Sequence, residues 1–115
     1  MLANGSKPKD WRQDLHFIEA ARIEKDTLHL RISYTGGCAE HDFSLVAWDF
    51  SLKASILRAE MLLAHNANGD SCKAIIKETL RFDVSPLRAH YHEIYGPEPG
   101  IVLLCLRDIR VEYYT

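Results

Sequence analysis

Two short stretches hold most of the residues able to do chemistry. GGCAEH, residues 36–41, carries Cys38 and His41, and HNANGDSC, residues 65–72, carries His65, Asp70 and Cys72. Thiolate, imidazole and carboxylate are the donor types that zinc takes, and a Cys-x2-His pair lets two side chains reach one ion. His65 and Cys72 would complete a tetrahedron, with Asp70 replacing one ligand or bonding one from behind. Against this, His65 and Cys72 stand seven positions apart, where zinc patterns use about two to four. The two cysteines equally offer a disulfide. It would close a loop of about 34 residues and stabilise the fold by roughly 3–4 kcal/mol in the chain-entropy model, in an oxidising compartment. A third reading needs no site. Asn68-Gly69 is a hairpin-turn signal because both residues accept positive φ, with His65, Asn66 and Asp70 capping backbone groups and the cysteines acting as small hydrophobes. A thiol hydrolase would pair Cys38 with His41 or His65 and draw backbone donors from Gly36 and Gly37. Calcium is a poor match, since Ser71 stands where such a loop needs glycine and no glutamate follows at the required distance.

At 115 residues the chain has the length of one domain, and 47% hydrophobic with 26% charged residues is an ordinary globular composition. A net charge of −2 leaves no basic footprint for nucleic acid and no polybasic membrane patch. The longest apolar run, Ile101 to Leu106, is far short of the roughly 20 residues that span a bilayer. MLANGSKPKD lacks the apolar core of a secretory signal, so the expected location is the cytoplasm, or the periplasm or exterior if the chain is a trimmed form. Three cysteines are too few for a disulfide scaffold.

The elements that must position these residues read mainly as strands. Residues 1–10 form an expected flexible tail, and 11–115 one domain. Leu28, Leu30, Ile32 and Tyr34 alternate with polar residues through Thr27 to Thr35, the pattern of a half-buried strand. Leu15 to Ile23 precedes it across Glu24-Lys25-Asp26, with an alternation blurred at Ile18 and Ala20. Asp42 to Phe50, Ile56 to His65 and Lys73 to Val84 are three further strands, the last with Glu78 on its apolar side. Ser85-Pro86 starts a short helix that Gly96 stops. Ile101 to Tyr114 closes the chain as a strand buried on both faces in its first half. The connections are too short for parallel crossovers, so the expected fold is an all-β antiparallel sandwich of six to seven strands with one short helix before the last strand.

Alternating strand direction then puts both polar loops at one end. Parity points His41, His65 and Cys72 inward at the rim of the core. His16 and His29, by contrast, are expected on strand surfaces, and His90 and His92 solvated on the helix.

GGCAEHDF, HNANGDSC and ETLRFDVSPL together make Ser33 to Leu87 similar to a small bacterial family of uncharacterised proteins, some secreted or lipid-anchored. The resemblance implies no activity, and the disulfide reading fits those secreted or anchored relatives better than a chain expected to lack a leader. The functional expectation is a binding or interaction domain, leaning away from an enzyme, whose rim loops form a small polar patch. The alternative is a zinc protein or a metal- or thiol-dependent hydrolase using Cys38, His41, His65, Asp70 and Cys72. No cofactor is expected unless it is zinc, and a homodimer through edge strands is open.

Overall fold

The structure, a computed structural model, describes residues 7–54, 56–107 and 109–115. The expected tail lies outside these residues up to position 6, and Pro8–Asp10 form one 3-10 turn. Seven strands and one helix follow: β1 (Phe17–Glu24), β2 (Thr27–Gly36), β3 (Asp42–Lys53), β4 (Ile56–Asn66), β5 (Ala74–Asp83), α1 (Ser85–Tyr95), β6 (Ile101–Leu106) and β7 (Ile109–Tyr114). One sheet has the order β1-β2-β5 and the other β3-β4-β6-β7. The chain is therefore an all-β sandwich with one short helix.

Period two holds where it is strongest. Leu28, Leu30 and Ile32 on β2 are fully buried, and so are Leu57 and Ala59 on β4. They meet Val102, Leu104 and Tyr113 of the β6–β7 hairpin in one core. The blurred alternation of β1 is a bulge, because the register slips between Ile18 and Ala20. An extra residue in one strand exchanges inward and outward positions beyond it. A second bulge, between Ala47 and Asp49, lets both Leu45 and Phe50 pack on the core.

Three expectations need correction. First, β4 and β6 pair in parallel, Ile56 with Ile101 through Met61 with Leu106. The intervening segment 67–100 visits the other sheet as β5 and returns through α1, so no direct crossover was needed. Second, Ile101 to Tyr114 is two strands. Arg107, at φ 51°, takes the left-handed conformation in a tight turn between Leu106 and Ile109 that carries no Asn-Gly signal. The helix thus precedes the last two strands. Third, Asn68 and Gly69 do adopt positive φ (53° and 74°), but the strands they join lie in different sheets and form no hairpin.

The end of the sandwich that carries the helix is closed by apolar packing and by one carboxylate. Leu87 and Tyr91, one helical turn apart, are buried. Asp26, in the β1–β2 turn, accepts hydrogen bonds from Arg88 Nη2 and Tyr113 Oη, both at 2.6 Å. These bonds hold its carboxyl below the ordinary range. The Arg88 guanidinium also lies 5.4 Å above the Tyr113 ring.

Leu30→Ala empties a fully buried site and is expected to cost about 2–5 kcal/mol in chemical denaturation. Ile75→Ala, at a side chain 74% exposed, should change stability by no more than about 0.5 kcal/mol. Equal effects would contradict the core drawn above.

Candidate functional site

The end opposite the helix is built from two loops that cross between the sheets. Residues 37–41 carry the chain from β2 to β3, and 67–73 carry it back from β4 to β5. Cys38 on the first and Cys72 on the second are joined as a disulfide, with Cα atoms 5.9 Å apart and 34 positions of sequence between them. Cys38 is exposed and Cys72 half-buried, so the bridge lies on the rim rather than in the core.

Beneath it, Asp70 gathers four donors. The backbone N–H groups of Cys38 and Ala39 donate to its Oδ2 at 3.1 Å, and that of Cys72 donates to Oδ1 at 3.0 Å. His41 Nε2 stands 2.9 Å from Oδ2. The His41 bond, followed by the backbone bonds, holds the Asp70 carboxyl far below the ordinary carboxylate range despite the opposing effect of burial. Neither side chain of this pair is more than 2% exposed. Gly36 leaves room for them: a Cβ there would sit 2.7 Å from His41 Nε2 and 2.8 Å from Asp70 Oδ2.

The chain of bonds continues inward. His41 Nδ1 meets His65 Nε2 at 2.7 Å, and His65 Nδ1 meets the Asp14 carbonyl oxygen at 3.0 Å. These distances decide where the protons are. A carbonyl only accepts, so His65 carries hydrogen on Nδ1. A carboxylate only accepts, so His41 carries hydrogen on Nε2. One more hydrogen joins the two rings, and the pair holds three protons on four nitrogens. The pair therefore bears one positive charge, matched by Asp70. Burial, opposed in part by the Asp14 carbonyl, lowers the pKa of His65, and the third proton lies between His41 Nδ1 and His65 Nε2. Aromatic faces wall the pair. Tyr34 lies 4.5 Å from the His41 ring and Phe43 stacks on His65 at 4.4 Å. The Tyr34 hydroxyl donates to Glu78 at 3.0 Å, which satisfies the one acid on the inner side of β5. Burial first and Glu78 second push the pKa of that hydroxyl up to about 12.

All five candidate residues thus converge, but not on one point. The donor atoms of Cys38, Asp70 and Cys72 lie within 4.8 Å of one another, and His41 and His65 do not join that set. Two participants escaped the sequence reading. Asp14 supplies its carbonyl to His65 and to His16 (2.9 Å), and its carboxylate accepts the Ala67 N–H at 2.8 Å. His16, expected on the surface, is 1% exposed, because Arg12 and Asp14 pair with the His65 backbone and draw the chain inward. No local pattern announces a contact between positions 14 and 65. His29, also expected on the surface, is half-buried. His92, expected to be solvated, is half-buried and donates its Nδ1–H to the Gly96 carbonyl at 2.7 Å.

No family model matches the chain, and no curated protein matches it in sequence. Solved structures do match. A NigD-like immunity protein from Bacteroides caccae superposes with a TM-score of 0.58 at 17% identity, over 97% of this chain and 57% of its own. A protein of unknown function from Bacteroides vulgatus gives 0.55 at 17% identity, over 99% and 52%. A toxin-related protein from Parabacteroides distasonis gives 0.51 at 16%, over 99% and 58%. The likeness is one of fold. The chain spans a little over half the length of each neighbour, and all three neighbours come from bacteria.

Two measurements check the site. Nitrogen-15 NMR of the histidine rings in the folded protein should show hydrogen on His41 Nε2, on His65 Nδ1 and one proton between His41 Nδ1 and His65 Nε2; a pair carrying only two protons would refute the bonding scheme. Because the Asp70 carboxyl is depressed in the folded state, its stabilising effect is complete above the unfolded value of about 3.9. It declines as pH falls toward the folded value. Asp70→Asn should therefore lower stability at neutral pH and flatten the dependence of stability on pH below about 4. An unchanged acid limb would show that Asp70 does not contribute to it.

Proposed function

We propose that the chain is a protein-interaction module of an oxidising compartment, and that its Cys/His rim fastens the sandwich rather than catalysing a reaction. The observation that carries this reading is that the reactive groups are spent on one another. Both ring nitrogens of His41 and of His65 are engaged, Asp70 accepts four bonds, and the two rim sulfurs are joined. A general base needs a free lone pair within reach of substrate, and a thiol nucleophile needs a free thiolate. Neither is offered here.

What the rim does offer is a stiff border to an apolar face. On the outside of the β1-β2-β5 sheet, Leu15, Phe17 and Ile75 are 70%, 60% and 74% exposed. They frame a shallow depression of about 180 Å³ with Ser33, Tyr34 and Thr35. Thr35 pairs with Ile75 one residue before Gly36, so the clasp sets the backbone on which this face is carried. Exposed apolar clusters of this kind mark places where another protein docks, and a large aromatic such as Phe17 is a common anchor. A role in holding another protein also agrees with the descriptions of two neighbours as an immunity protein and as toxin related. Among the described residues no helix is long and apolar enough to cross a membrane.

The test is photo-crosslinking in the cells that make the protein, with a benzophenone amino acid at position 17 and, as control, at the exposed Arg81. A discrete adduct with a second protein should form from position 17 and be suppressed by Ile75→Glu. No adduct, adducts only with another copy of the chain, or equal yields from position 81 would each overturn the proposal.

A further inference from the structure

The clasp has a second use that does not depend on the apolar face. We infer that, once the disulfide is reduced, Cys38, Cys72 and Asp70 form a binding site for a zinc-class divalent cation. Three observations lead there. The two sulfurs and an Asp70 oxygen already lie within 4.8 Å of one another. Asp70 holds the backbone N–H of both cysteines, so the cysteine Cα atoms, 5.9 Å apart, are positioned by the carboxylate as well as by the bridge. Breaking the bridge leaves those bonds in place. Finally, Oδ2 takes three donors and Oδ1 only one, which leaves Oδ1 a lone pair to give.

Cys38 is exposed, so a dithiol reductant can reach it. The reductant forms its own disulfide while the Cys38–Cys72 bond breaks, and two electrons and two protons pass to the protein sulfurs. The cation then displaces both thiol protons to solvent. Two thiolates at about 2.3 Å from a tetrahedral ion stand roughly 3.8 Å apart, a separation reached by side-chain rotation. Two sulfurs and one oxygen leave a fourth position for water. His41 stays behind Asp70 as the group that orients the ligating carboxylate.

Cobalt(II) alone serves as the probe, added to the whole chain in oxidised form and after reduction with a phosphine. The reduced protein should bind one equivalent, show thiolate-to-cobalt charge transfer and tetrahedral d–d bands, and release about two protons. The oxidised protein should show none of these. Cys38→Ser and Cys72→Ser should each abolish the bands, Cys105→Ser should keep them, and His41→Gln should weaken affinity about 10–100-fold. The inference is overturned if the reduced protein stays folded without these bands, if the bands survive either single serine variant, or if reduction unfolds the chain. That last result would show that Asp70 does not hold the loops unaided. None of these outcomes bears on the crosslinking result, so the two proposals fail separately.

Discussion

The Asp70 carboxylate is the point on which this end of the molecule depends. Without it, the backbone N–H groups of Cys38, Ala39 and Cys72 and the His41 ring would lose their common acceptor in a place with little access to water. Leaving such groups unpaired costs more than each bond contributes when made. The carboxylate, in turn, is tolerable under burial only because four donors and one positive charge surround it. Each member makes the others affordable, and the set stands or falls as a unit.

That unit has a mechanical role set by topology. The chain leaves the β1-β2-β5 sheet through residues 37–41 and re-enters it through 67–73. The disulfide and the Asp70 bonds join one link to the other, and the histidine pair joins the first link to β4, whose His65 also pairs with the segment that leads into β1. At the opposite end α1 fills the opening, and Asp26 repeats the logic on a smaller scale, with one carboxylate binding groups from the helix and from β7. Two packed sheets can slide on an apolar interface, because hydrophobic contact is not directional. A polar cluster is directional. Its bonds are satisfied in one relative placement of the sheets and broken in others.

How far the sequence reached follows from the range of the forces involved. Side-chain alternation is local, so the inward faces of β2 and β4 and the inward aim of His65 were legible from the order of residues along each strand. The placement of the two loops at one end was legible too, since it required only that successive strands reverse direction; that they meet was not. Pairing across a long excursion was not. The parallel β4–β6 contact depends on β5 leaving for the other sheet, and nothing near Ile101 encodes that. The turn at Arg107 was hidden for a different reason. A left-handed residue there is held by the flanking strands, not by its own preference. His16 and Asp14 were missed because their partner is some 50 positions away, and a histidine beside apolar residues reads the same whether it faces water or another histidine.

The glycine pair at 36 and 37 shows how a legible residue can be read for the wrong cause. The sequence reading valued it for backbone donors, whereas Gly37 uses its conformational freedom, at φ 112°. Gly36 does not take a left-handed conformation. It matters because any side chain would occupy the space where His41 meets Asp70. The same carboxylate and imidazole could have been replaced by well-packed apolar residues with little loss of stability, as buried ion pairs often can. Such a replacement would have kept the loops together without specifying how they meet. A buried pair with one proton too many and one charge to match it permits a single arrangement of three side chains and four backbone groups. On this argument the cluster contributes definition more than strength, and the covalent bridge above it supplies the strength.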